Sequence, residues 1–215
     1  MHMDNEKNNT DIPYGDTEAA PQTTEGRSRK KKVLPPGTLK AEILSWIQIL
    51  LTAACIAFVL NTFIIANSKV PSGSMENTIM TDDRVIGSRL TYLFSDPNRG
   101  DIIIFHFPDN PPDTKPVYYV KRVIGLPGET VDIINGQVYI NGSETPLEEP
   151  YLKEKMESEP AMHFEVPEGC YFMMGDNRNH SYDARYWENT FVKKEKIIAK
   201  VMVRYWPLNK IGRVR

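Results

Sequence analysis

From Ile43 to Ala66 the chain reads ILSWIQILLTAACIAFVLNTFIIA, with no charged residue and only Ser, Gln, Thr and Asn among the apolar ones. About 20 such residues span the hydrocarbon core of a bilayer as a helix, and the run meets that length. A soluble chain of 215 residues offers little core in which to bury a helix that is apolar on every side. The expectation is a single transmembrane anchor over 43–66. Trp46, near one end, suits the membrane interface. The run RSRKKK at 27–32 outweighs Lys69, Arg84 and Arg89 beyond the other end. The positive-inside rule therefore sets the N-terminus in the cytoplasm and the remainder outside. A cleaved export signal has a shorter apolar region, about 7 to 15 residues, nearer the start, so this segment is expected to persist.

Residues 1–26 have few large apolar side chains and no helical or strand period, which predicts disorder. The expected organisation is a cytoplasmic tail with a basic flank (1–42), the anchor (43–66) and an outer domain (67–215). In that domain DIIIFHF (101–107), VYYVKRVIG (117–125), ETVDII (129–134), QVYI (137–140), CYFMM (170–174) and IIAKVMVRYW (197–206) are rich in β-branched and aromatic residues. Gly, Pro, Asn or Asp bound them, as at strand ends. Asn135-Gly136 between two of them is a hairpin signal. No strand alternates regularly with a long amphipathic helix, so a mostly β domain is expected rather than a doubly wound sheet or a β/α barrel. Residues 144–163 are expected to form a charged, mobile surface insertion.

Composition removes several classes of function. A formal net charge of -2 gives no electrostatic reason to expect nucleic acid. Two cysteines cannot build a disulfide framework or a four-ligand zinc site. The four histidines show no metal-binding spacing, so no metal and no cofactor is expected.

Just past the apolar run stands PSGSMENT, residues 71–78, with two serines one residue apart. A serine hydroxyl is a poor nucleophile near neutral pH unless another group takes its proton. Period two along VYYVKRV puts Tyr119, Lys121 and Val123 on one face and Val120, Arg122 and Ile124 on the other. Burial among apolar side chains lowers a lysine's pKa and yields a neutral amine able to accept a proton. Lys121 is thus one candidate base. The polar stretch GDNRNHSYDAR, 175–185, follows an apolar strand and could be a packed network or a solvated turn. Its His180 and Asp183 offer a second candidate, a Ser-His-Asp arrangement. Spacing alone leaves both open.

VPSGSMENTI, DDRVI, RGDIIIF, YYVKRVIGLPGETV and GDNRNHSYDAR, in this order behind a transmembrane segment, resemble bacterial type I signal peptidases. These are membrane-anchored Ser-Lys endopeptidases that remove signal peptides from exported preproteins. The resemblance implies a signal-peptidase-like domain of coiled antiparallel sheets behind one transmembrane helix. Ser74 would be the nucleophile and Lys121 the general base. Ser72 would donate to the oxyanion hole beside the backbone N–H of Ser74, and Ser181 would orient the lysine. Arg122, Asp183 and Arg185 would brace the site, while Val70, Met75, Tyr119 and Val120 would border shallow pockets for an Ala-x-Ala sequence. His180 then becomes a loop residue. The preproteins and the bilayer are the implied partners. The chain departs from the family pattern at Asn77, where proline is common, and at Asp82, where glycine is frequent. It departs also at Asn179, where aspartate is usual, and Ala184, where serine is usual. A LexA-like self-cleaving protease and a membrane-tethered binding module are the alternative readings.

Overall fold

A computed structural model describes residues 37–158 and 160–214. The expected disordered tail and the basic run at 27–32 lie outside the described residues. The chain divides into two units, Met1–Trp46 and Ile47–Arg215. Helix α1 runs Leu39–Val59 and is followed by a π-helical turn, Leu60–Ile64. Its two hydroxyl side chains back-bond within the helix, Ser45 Oγ to Ala41 O at 3.0 Å and Thr52 Oγ1 to Gln48 O at 2.8 Å. The apolar surface they interrupt therefore presents no unpaired hydroxyl. The stretch Leu39–Ile64 is long and apolar enough to cross a membrane, with a mean hydropathy of 2.3 and none of its most apolar window buried. The helical stretch thus starts before Ile43 and ends at Ile64. Ile65 and Ala66 belong to a strand, where Ala66 packs in a core.

The outer strands are β1 (Ile65–Lys69), β2 (Arg84–Ser88), β3 (Ile102–His106), β4 (Tyr118–Gly125), β5 (Thr130–Ile134), β6 (Gln137–Ile140), β7 (Met162–Glu165), β8 (Cys170–Met174), β9 (Val192–Lys193), β10 (Ile197–Trp206) and β11 (Gly212–Arg213). An eight-stranded sheet has the order β1-β2-β10-β3-β4-β8-β9, with β11 paired to β10. A second, three-stranded sheet has the order β6-β5-β7, and every pairing in both is antiparallel. The six strands read from the sequence are all present. Asn135 and Gly136 join β5 to β6 with φ of 51° and 72°, the paired left-handed geometry of a tight hairpin.

Alternation on β3 sorts the two cores. Ile103 and Phe105 join a large cluster with Val123, Val131, Phe172, Met173 and Trp187. Ile102 and Ile104 face the other way, onto Val70, Met75, Ile79, Val85 and Val120. The turn carrying the two serines is thereby fixed to the sheet by its own apolar residues.

Residues 144–163 are expected as a mobile insertion, yet several described residues of the stretch are tied down. Met156 is buried, and an added Cβ on Gly136 would lie 2.3 Å from Met156 O. The backbone at Tyr151 receives a hydrogen bond from Asn77 Nδ2 at 3.0 Å. Among its charges, Glu149 is drawn into a buried pair described below, and Lys153 pairs with Glu76 at the surface.

Candidate active site

Ser74 sits in a short 3-10 turn, Gly73–Met75, behind an extended Ser72. Met75 O accepts from the N–H groups of Thr78 and Ile79 at 3.1 and 2.7 Å, which closes the turn. Ser74 is buried and Ser72 exposed, and their hydroxyl oxygens are 3.3 Å apart. Asn77 has φ of 84° and Asp82 a φ of 67°. Proline, locked near -65°, cannot take the first, and glycine takes the second without strain. The departure at Asn77 thus matches the backbone geometry, while Asp82 holds a left-handed position that aspartate visits less readily than glycine.

Lys121 lies on β4 opposite Ile103 and is 3% exposed. Its ammonium nitrogen is 5.6 Å from the centre of the Tyr119 ring. Tyr119 is itself stacked on Phe107, with ring centres 4.5 Å apart. No hydrogen bond or ion pair reaches Lys121 Nζ among the described residues. Burial therefore pushes its pKa down from 10.5 to about 8, against an opposing pull from Asp183 and a smaller downward push from Arg185.

Ser72, Ser74, Val70, Tyr119, Val120 and Lys121 line one cleft of about 440 Å³. His180 and Tyr182 contribute to its rim. Six of the eleven residues singled out in the sequence thus meet there. Met75 does not: its side chain is wholly buried in the core beneath the turn. Ser181, Arg122, Asp183 and Arg185 are buried outside the cleft lining.

Stretch 175–185 is a packed network. Asp183 accepts from Gly175 N at 3.0 Å and from Arg185 Nε at 2.8 Å. Both its oxygens are engaged, and none of its hydrogen bonds among the described residues goes to His180. The Ser-His-Asp arrangement left open by spacing therefore lacks its His-Asp link. Gly175 is the junction between the serines: an added Cβ would lie 2.2 Å from Ser181 Oγ and 2.4 Å from Ser74 O. Ser181 Oγ is buried without a hydrogen-bond partner among the described residues. Asn177 pins the serine turn, its backbone N–H on Ser74 O at 3.0 Å and its side-chain amide on Gly73 O at 2.9 Å.

Besides Asn177, four participants were missed by sequence reasoning. Asp176 forms a fork with Arg122 at 2.8 and 2.7 Å, while the Tyr151 ring centre lies 3.8 Å from that guanidinium. Arg178 is paired by Glu149 through both terminal nitrogens. Asp176 and Arg178 lay in a motif already noticed. Glu149 and Tyr151 carried no local signal, since they lie in a charged stretch remote in sequence from the site.

Residues 43–206 match the family described as "Signal peptidase, peptidase S26". The chain belongs to that family. "Probable signal peptidase I-2" of Synechocystis sp. is 36% identical over 85% of this chain and 81% of its own length. "Signal peptidase I" of Leptolyngbya laminosa is 39% identical over 73% of this chain and 76% of its own. "Signal peptidase I S" of Bacillus subtilis is 34% identical over 80% and 94%, respectively. A crystal structure of a signal peptidase I from Enterococcus faecalis aligns with 49% of this chain and 97% of that chain at 37% identity, with a TM-score of 0.41.

Proposed function

We propose that this chain is a membrane-anchored serine endopeptidase that removes signal peptides from exported preproteins after Ala-x-Ala, through a Ser74–Lys121 dyad. The observation that carries the reading is a buried lysine, in no ion pair among the described residues, in the same cleft as a buried serine. Neutral Lys121 takes the Ser74 proton as Oγ attacks the scissile carbonyl. The protonated amine then delivers that proton to the leaving amine, and neutral Lys121 activates the water that hydrolyses the acyl-enzyme. Ser72 and the backbone N–H of Ser74 stabilise the oxyanion, and the orphan hydroxyl of Ser181 orients the amine. Val70, Tyr119 and Val120 present apolar walls that admit small side chains. The apolar helix anchors the enzyme with its N-terminus in the cytoplasm and the cleft outside. Substrate and enzyme then share one membrane, which raises their effective concentration.

The decisive experiment incubates detergent-solubilised protein with a peptide spanning an Ala-x-Ala site and maps the product by mass spectrometry. Cleavage after the second alanine is expected, with loss of turnover when both alanines become leucine. Equal cleavage of the leucine peptide would remove the small-pocket reading, and a single stable cut in the enzyme's own chain would favour self-processing.

The pH profile is a second test. An amine with a pKa of about 8 is mostly protonated at pH 7 and unable to act as base. The logarithm of kcat/KM is expected to rise with unit slope below pH 8 and level above it. A flat profile between pH 6 and 9 would exclude Lys121 as the base.

A further inference from the structure

We infer that Glu149 is a positioning residue for the reaction, acting through Arg178 and Gly175 on the two buried serines; this rests on the peptidase reading above. Glu149 lies 29 residues from Arg178 in sequence, and its side chain is 7% exposed. Arg178 is among the most deeply buried side chains in the domain, at 1% exposure. Glu149 Oε2 accepts from one terminal nitrogen of Arg178 at 2.9 Å, and Oε1 accepts from the other. With both held, the remaining nitrogen has one orientation: Arg178 Nε donates to Gly175 O at 3.0 Å. On its other side, Gly175 N donates to Asp183.

Gly175 is therefore gripped at both polar atoms of its backbone, from below by Arg178 and from the side by Asp183. It is also the residue with no room to spare against Ser181 Oγ and Ser74 O. A shift of this peptide unit displaces the group proposed to orient Lys121 and the backbone carbonyl of the nucleophile together. The fork is planar and bidentate, so it fixes direction as well as charge. The same segment makes further grips that keep Glu149 in place. Tyr151 O–H donates to Glu149 Oε1 at 2.8 Å, and Asn179 Oδ1 accepts from Glu157 N at 2.9 Å. The partial exception at 179, asparagine in place of aspartate, supplies an amide Nδ2 that also donates to Glu154 and to Lys155 O.

The discriminating variant is Glu149→Asp. It keeps the negative charge that compensates buried Arg178 but withdraws the carboxylate by one methylene, so the fork cannot be held at both nitrogens. A residue that only neutralises charge tolerates this change. The expected result is a kcat lower by roughly ten- to hundredfold with KM within about twofold. Hydrogen exchange in the peptide covering 173–181 is expected to quicken, read by mass spectrometry independently of turnover. Lys153→Ala, which removes the exposed pair with Glu76 on the same segment, is the control and should change neither readout. Unaltered kcat and unaltered exchange in folded Glu149→Asp would overturn the inference. Failure of the unsubstituted protein to cleave overturns the peptidase reading instead, and the exchange measurement still decides whether Glu149 holds the Gly175 peptide. If Glu149→Asp does not fold, Arg178→Lys keeps the buried cation and its pairing but lacks the Nε donor to Gly175. It is expected to show the same fall in kcat, and full activity in that variant counts against the relay.

Discussion

Lys121→Met is expected to abolish peptide cleavage, lowering kcat/KM by roughly 10⁴-fold or more, and at the same time to make the folded protein more stable. The two effects share one cause. The lysine is 3% exposed, and the fall from 10.5 to about 8 corresponds to about 3 kcal/mol of preference for the neutral amine. The folded-state pKa lies below the unfolded value, so below pH 8 both states bind the proton and the folded state carries the full penalty. As pH rises from 8 to 10.5 the unfolded chain still holds a proton the folded one has released, and the penalty fades. Methionine is nearly isosteric and uncharged, so its gain in urea midpoint should be largest at pH 7 and small near pH 10.5. Ser74→Ala should match the loss of turnover without the gain in stability. Ser72→Ala should retain activity lowered by about 10² to 10³, the usual consequence of losing one oxyanion donor. Turnover by either Lys121→Met or Ser74→Ala would end the dyad assignment. Equal urea midpoints for Lys121→Met and the unsubstituted protein at pH 7 would show that the lysine is solvated.

The strands that build the site were legible because their side chains obey period two. The face shared by Tyr119, Lys121 and Val123 is the face that packs toward the large core. Strand β1 was hidden, since Ile65 and Ala66 extend an apolar run and nothing local distinguishes its last residues from helix. Strand β2 was hidden by brevity and by Gly87, although its neighbourhood DDRVI had been noticed. For 175–185 composition could not decide between a solvated turn and a network. The answer depends on Arg122 and Glu149, which reach it from other elements, and on Tyr151, whose ring covers Arg122. Charges at 144–163 misled for the same reason: a charge reads as solvated until its partner is known. Met75 misled differently, because adjacency to a serine in sequence does not set which way a side chain points.

Asp176→Ala is expected to lower stability by about 3 to 5 kcal/mol, the range for removing one partner of a buried ion pair. Arg122 and Asp176 are 3% and 0% exposed, and their fork is supplemented by Arg122 Nη1 donating to Gly100 O at 2.8 Å. The Tyr151 ring covers the guanidinium, so water does not reach it readily to replace the carboxylate. Against a typical total of about 5 to 15 kcal/mol, such a loss brings the domain near its unfolding threshold, visible as a much lower urea midpoint. The double replacement Arg122→Met with Asp176→Leu removes both charges and should recover most of that stability. It should not recover the enzyme's normal pH profile. Asp176 favours the protonated form of Lys121, so without its charge the acid limb of kcat/KM should move below pH 8. Stability restored together with an unmoved acid limb would show that the pair braces the fold alone. Stability still lost in the double variant would show instead that its hydrogen bonds to Gly100 and Thr78, rather than its charges, hold the network against the sheet.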